Sequence, residues 1–71
     1  MNKEKIISGT VTNKRTRNMS PGWGQWYYVT IGTKELQTSA KIYNKLSIGD
    51  YISGYFKKNL LVDEDILVKL L

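Results

Sequence analysis

The chain has 71 residues, of which 11 are lysine or arginine and six are acidic, so its formal net charge is +5. It contains no cysteine and no histidine, which excludes disulfide bonds, thiolate nucleophiles, the usual zinc sites and Ser-His-Asp chemistry. This length predicts a single domain, residues 1–71, that buries only roughly 60–65% of the surface exposed by the unfolded chain.

The carboxylates give no sign of a catalytic pair. Three of the six, Asp63, Glu64 and Asp65, are consecutive, and the others are scattered along the chain. Carboxylate-only catalysis needs two such groups held at a set separation. We therefore predict that the protein is not an enzyme and uses neither a cofactor nor a metal.

Charge and hydropathy also bear on location. Residues 1–62 carry ten basic and three acidic residues, a net charge of +7, whereas residues 63–71 have a net charge of −2. No apolar run approaches the roughly 20 residues of a membrane span, and the start of the chain does not have the apolar core of a signal peptide. The sequence thus predicts a soluble, cytoplasmic protein with a basic body.

The first half of the chain predicts two strands and a long loop. Ile7, Gly9 and Val11 alternate with polar residues, which is typical of a strand. Residues 14–24 combine cations with Asn, Ser, Pro and Gly and predict a loop. Residues 26–31 are aromatic or β-branched and predict the second strand. Alternation separates its two faces: Tyr27, Val29 and Ile31 on one, Trp26, Tyr28 and Thr30 on the other.

The second half predicts a hairpin, a helical segment and two more strands. A turn at Gly32-Thr33 leads to a third strand at residues 35–40, with Glu35 and Gln37 on its polar face. Ser39 is the predicted N-cap of a short helix ending near Leu46. Residues 51–57 form the predicted fourth strand, in which Gly54 marks a bulge or bend. Residues 66–71 form the fifth.

Five short strands and one helical segment predict a mainly β fold. A sheet this small hides its edges best by curling into a barrel. The helical segment falls between strands three and four, which favours an oligonucleotide/oligosaccharide-binding (OB)-like barrel, with an SH3-like barrel as the runner-up.

Three stretches of sequence resemble small bacterial and phage OB-like barrel proteins, many of which have no assigned function. They are Gly9-Thr10-Val11 followed by Lys14, the segment Tyr28-Val29-Thr30-Ile31, and residues 42–54, IYNKLSIGDYISG. The likeness covers about residues 6–56 and involves scaffold positions, namely strand apolar residues and turn residues. The resemblance implies the fold, and it implies that the protein binds nucleic acid or another protein.

Cations and aromatic residues are close together around the predicted long loop. Lys14, Arg15 and Arg17 are candidates for holding phosphates, and the aromatic residues Trp23, Trp26 and Tyr28 are candidates for stacking on unpaired bases. Tyr55 and Lys57 of strand four form a second polar and aromatic stripe. Together these side chains predict a site for single-stranded nucleic acid with little sequence preference.

Two alternative interpretations of the same residues stay open. The cations are also typical of a solvated loop, and the aromatic side chains could equally bind a protein partner. Apolar residues occur on both faces of the predicted fifth strand, which indicates a homodimer or docking through that strand. The rival hypothesis is therefore a protein-interaction module, such as a phage-type accessory or inhibitory protein that docks on a host protein.

Overall fold

The computed structural model describes residues 4–18, 24–59 and 64–71. Within them the chain forms five strands and one helix, in the order β1 (Lys5–Asn18), β2 (Gln25–Ile31), β3 (Lys34–Thr38), α1 (Ala40–Lys45), β4 (Tyr51–Asn59) and β5 (Glu64–Leu70). The predicted mainly β architecture, with five strands and a short helix between the third and fourth, is confirmed.

The five strands make one sheet that closes on itself. Their order is β1-β2-β3-β5-β4, and β4 pairs back onto β1 to close a barrel. All pairs are antiparallel except β3 with β5, where Gln37 and Thr38 lie opposite Ile66 and Leu67 in parallel. Strand β5 therefore lies between β3 and β4, both of which precede it in the chain.

Strand β1 is longer than the sequence predicts. Residues 14–18, which the sequence assigned to a loop, pair with β2 in a continuous register that ends at Asn18 opposite Gln25. The predicted loop is therefore wrong over these residues. Pairing with a distant strand supplies backbone hydrogen bonds that local composition does not indicate.

A bulge in β1 decides which side chains point outward. The pairing passes from Val11 opposite Ile31 to Asn13 opposite Thr30, which leaves Thr12 as an extra residue. The Thr12 hydroxyl donates a hydrogen bond of 2.9 Å to the carbonyl oxygen of Gly32 and so holds the bulge in place. Because one residue is added, the alternation of inward and outward residues reverses along β1 after this point.

The core lies inside the barrel, and α1 covers one end of it. Six buried apolar residues form it: Val11, Val29, Ile31, Leu36, Leu46 and Leu67. Ile42 and Tyr43 of α1 pack against this cluster. The predicted N-cap is confirmed, since the Ser39 hydroxyl accepts a hydrogen bond of 3.2 Å from the Ile42 backbone N–H.

Gly54 stands where β4 approaches β5 closely. A Cβ atom at this position would lie 2.7 Å from the carbonyl oxygen of Lys69 and 2.9 Å from Cδ1 of Leu67. The register between the strands shifts immediately afterwards, between Tyr55 and Phe56. Only glycine leaves room for this close approach, and the bulge predicted at Gly54 lies beside it, where Val68 of β5 is the extra residue.

The helix content is confined to α1 in the part of the chain that is described, and no helix there has the length and apolar character needed to cross a membrane.

Candidate functional site

Cross-strand pairing places five residues in one row on the outside of the barrel. Each is the direct partner of the next, and the row, here called the outer row, consists of Arg15, Tyr28, Gln37, Ile66 and Lys57. Neighbouring strands are about 4.8 Å apart, so the outer row extends for about 19 Å around the barrel. It joins two regions that are distant in sequence and that both contain predicted site residues.

A second cation–aromatic pair lies beside the outer row. Arg17 is exposed and is the direct partner of Trp26, which is half-buried. Both are two residues from the outer row along their strands, a separation of about 7 Å. The structure therefore brings Arg15, Arg17, Trp26 and Tyr28 together on one outer face of β1 and β2.

Tyr28 is buried although it lies outside the core. Only 2% of it is exposed. The guanidinium carbon of Arg15 lies 4.4 Å from the centroid of its ring, and its hydroxyl is 3.5 Å from Oε1 of Glu64. Burial raises the pKa of Tyr28 above its ordinary value, and the Glu64 carboxylate adds to this shift, while Arg17 and Arg15 oppose it. Tyr28 thus supports Arg15 and does not present a free face for stacking.

Arg15 is also held by a carboxylate. Its Nε and Nη2 donate hydrogen bonds of 2.6 and 2.8 Å to the two carboxylate oxygens of Glu35. This bidentate contact raises the pKa of Arg15 and lowers that of Glu35. One edge of the guanidinium group is therefore occupied, and its remaining N–H donors are available to a ligand.

Lys14 lies apart from the two arginines. Because of the bulge it points toward α1, where its Nζ donates a hydrogen bond of 2.6 Å to the carbonyl oxygen of Leu46 and lies 4.2 Å from the centroid of the Tyr43 ring. This contact satisfies a backbone carbonyl just after the helix. The structure therefore does not bring Lys14 to the same face as Arg15 and Arg17.

The remaining predicted residues are divided between two places. Lys57 ends the outer row, and Tyr55, two residues before it in β4, pairs with Ile6 and Lys69. The Nζ of Lys69 lies 5.4 Å from the centroid of the Tyr55 ring. Trp23 lies outside the described residues.

Three side chains of this face were not predicted as part of the site: Glu35, Gln37 and Glu64. Alternation had placed Glu35 and Gln37 on the polar face of strand three. The sequence therefore indicated that they point outward, but it did not indicate which residues they contact. The Oε1 atom of Gln37 is buried without a hydrogen-bond partner in the described part of the chain, between Tyr28 and Ile66. A buried acceptor of this kind costs free energy until a donor reaches it.

The chemistry available here is that of binding. Arginine N–H donors and an indole lie side by side, a combination that suits ligands with both negative charge and flat apolar groups. Within residues 4–18, 24–59 and 64–71, no three histidine, cysteine or carboxylate side chains come together as metal ligands.

Comparison of the chain with protein-family models, with curated proteins and with solved structures finds no match.

Proposed function

We propose that the protein is a non-catalytic module that binds single-stranded nucleic acid with little sequence preference, on the outer face of β1 and β2. The observation that carries the proposal is the direct pairing of two arginines with two aromatic residues, Arg17 with Trp26 and Arg15 with Tyr28. Single strands bind proteins through cationic grooves and stacking platforms of this composition.

The strand order supports an OB-like assignment of the barrel. In the OB fold the face of strands two and three, with the loops that follow strands one and four, binds oligonucleotides and oligosaccharides. The candidate face lies on β1 and β2 and continues through Gln37 of β3. The two positions overlap on β2 and β3, and the side chains on the candidate face carry the proposal.

Each residue has a distinct part in the proposed mechanism. Trp26 stacks on a base, which contributes about 1–3 kcal/mol, and Arg17 beside it holds a phosphate. Arg15 offers a second phosphate contact through the donors that Glu35 leaves free, and Tyr28 holds its guanidinium group in place. Lys57 extends the cationic path to the far end of the outer row.

The test is a binding titration of labelled, single-stranded oligothymidine of about 20 nucleotides, followed by anisotropy at roughly 50 and 200 mM salt. Arg17→Ala should weaken binding and reduce the salt slope by about 0.7, the value for one phosphate contact on a single strand. Trp26→Ala should weaken binding about five- to 150-fold, with little change in slope, because it removes stacking alone.

Lys5→Ala is the matched control for charge. Lys5 is exposed and lies at the start of β1, away from the candidate face, so its removal should leave the affinity within about twofold. If neither Arg17→Ala nor Trp26→Ala changes binding beyond this control, the proposed face is wrong. Absence of any binding by the unaltered protein at the lower salt concentration would reject nucleic acid as the ligand.

A second candidate function, a protein-interaction module, is favoured by a different surface. Three exposed apolar side chains, Ile6, Tyr51 and Leu71, lie on the outer side of β1, β4 and the end of β5, and their exposed fractions are 60, 72 and 65%. The backbone N–H of Leu71 donates to the carbonyl oxygen of Ser53, which lies on β4 between Tyr51 and Tyr55, the partner of Ile6. Exposed apolar side chains on the same side of a barrel are typical of protein contacts.

This surface also accommodates the predicted homodimer through the C-terminal strand. Sedimentation velocity on the unaltered protein and on Tyr51→Lys tests it. A concentration-dependent dimer that Tyr51→Lys abolishes would support the contact, and a monomer at all concentrations would reject the homodimer.

The lack of cysteine agrees with a cytoplasmic setting, which we retain as part of the proposal.

A further inference from the structure

A cleft of about 290 Å³ lies between α1 and the C-terminal half of β5, on a part of the barrel that the candidate face does not use. Its walls come from the N-cap residue Ser39, from three residues of the helix and from three of the strand: Lys41, Ile42 and Lys45, and Val68, Lys69 and Leu70. The lining thus combines three lysines with aliphatic side chains.

The cleft exists because β3 ends before β5 does. Parallel pairing between these strands stops at Thr38 opposite Leu67, after which the chain turns into α1. Strand β5 continues to Leu70, which is held on its other side by Gly54 of β4. Over residues 68–70 the edge of β5 that faces α1 has no strand partner within the described residues.

An unpaired strand edge offers alternating backbone donors and acceptors. An extended peptide completes such an edge as an additional strand, and its side chains then meet the residues around the edge. A nucleic acid has no matching sequence of amide donors and acceptors. The free edge extends over three residues, about 10 Å, which is enough for a short peptide segment.

Charge specifies the peptide further. Lys41 and Lys45 lie one helical turn apart on α1 and are exposed, whereas the Nζ of Lys69 lies 5.4 Å from the centroid of the Tyr55 ring on β4, so the two helix lysines supply the ammonium groups on the α1 side of the cleft. No carboxylate is among the residues that line the cleft. Aspartate or glutamate side chains on the incoming strand would face these ammonium groups, while its apolar side chains would contact Ile42 and Val68.

We propose that this cleft binds an acidic peptide segment of a partner protein, in extended conformation, as an added strand on the free edge of β5. The interaction is separate from the proposed nucleic-acid face and does not require it.

The test uses a capped, labelled pentapeptide in which aspartate alternates with valine, together with the same peptide N-methylated at its central residue. Backbone amide shifts in a ¹⁵N-labelled sample of the full chain should change at Val68, Lys69 and Leu70 as the pentapeptide is added. The N-methylated peptide should bind at least tenfold more weakly, because it cannot donate to the strand edge.

Lys41→Gln with Lys45→Gln should weaken binding of the pentapeptide about two- to tenfold, whereas Lys5→Gln should not. Both helix residues are exposed, so circular dichroism should confirm that the double variant is folded. A lack of binding at about 1 mM peptide would overturn the proposal. Equal binding of the N-methylated peptide would also overturn it, since this would leave only charge attraction. A loss of oligothymidine binding in the double variant would assign the cleft to nucleic acid instead.

Discussion

Arg15 and Tyr28 are cross-strand partners, and the guanidinium carbon of Arg15 lies 4.4 Å from the centroid of the ring. Only 2% of Tyr28 is exposed, although it lies on the outside of the barrel. A cation over an aromatic face contributes about 0.5–1 kcal/mol at exposed sites and more where water is excluded. Tyr28 therefore keeps a charged group in a fixed position on an otherwise open surface.

Glu35 should limit the affinity for nucleic acid. Its carboxylate occupies one edge of the Arg15 guanidinium group and so leaves fewer N–H donors for a phosphate. We expect Glu35→Gln to tighten binding of oligothymidine about two- to fivefold and to steepen the salt slope, because the guanidinium edge becomes available. Glu4→Gln, which removes one exposed negative charge elsewhere, is the control for net charge. Weaker binding by Glu35→Gln would show that Glu35 positions Arg15 for its ligand.

The Tyr28 phenol should titrate above about 10, the ordinary value for tyrosine, because burial raises its pKa. The difference between the ultraviolet pH titrations of the unaltered protein and Tyr28→Phe isolates this group. A pKa raised in the folded state means that its contribution to stability is present below about pH 10 and is lost as the pH rises. The unaltered protein should therefore lose stability relative to Tyr28→Phe above that pH. A difference spectrum centred below pH 10 would contradict the assignment.

Lys14 should act on stability and not on the affinity for nucleic acid. Lys14→Met removes the hydrogen bond to Leu46 and the contact with the Tyr43 ring. We expect the free energy of unfolding to fall by about 1–3 kcal/mol, measured by urea denaturation, while binding of oligothymidine by the folded fraction stays within about twofold. Lys41→Met, at an exposed position of α1, is the matched control. An affinity that falls without a loss of stability would restore Lys14 to the site.

Gly54→Ala should destabilise the barrel by about 1–3 kcal/mol. The added methyl group would meet the backbone carbonyl of Lys69 at 2.7 Å, and a strand backbone cannot move aside without disturbing the pairing with β4. Gly9→Ala is a useful comparison, because its nearest neighbour, at 3.0 Å, is a methyl group of Ile31. Thermal and urea unfolding should show a larger loss for Gly54→Ala, and equal losses would contradict the proposed steric cause.

The elements that sequence predicts well here are local. Alternation along residues 26–31 identifies the two faces of β2, with Val29 and Ile31 inside. Ser39 was identified as an N-cap because its effect reaches only three residues along the chain. These features are determined by residues that are close together in the chain, so a local sequence pattern is enough to predict them.

The features that sequence did not predict all depend on distant partners. The strand character of residues 14–18 comes from pairing with β2, and the inward direction of Lys14 comes from the single extra residue Thr12. The buried Tyr28 contacts Arg15 on β1 through its ring and Glu64 on β5 through its hydroxyl. No local pattern distinguishes an outer-face tyrosine that is free from one that a distant cation covers.

The position of β5 between β3 and β4 has a consequence for folding. These flanking strands are made before it during synthesis, yet they are joined to each other only through β5. A nascent chain that ends before residue 64 therefore exposes two unpaired edges, which are templates for association with other chains. When β5 pairs with β3 and β4, both edges are removed in one late step. The longer the chain stays without β5 in place, the longer these edges can pair with other chains.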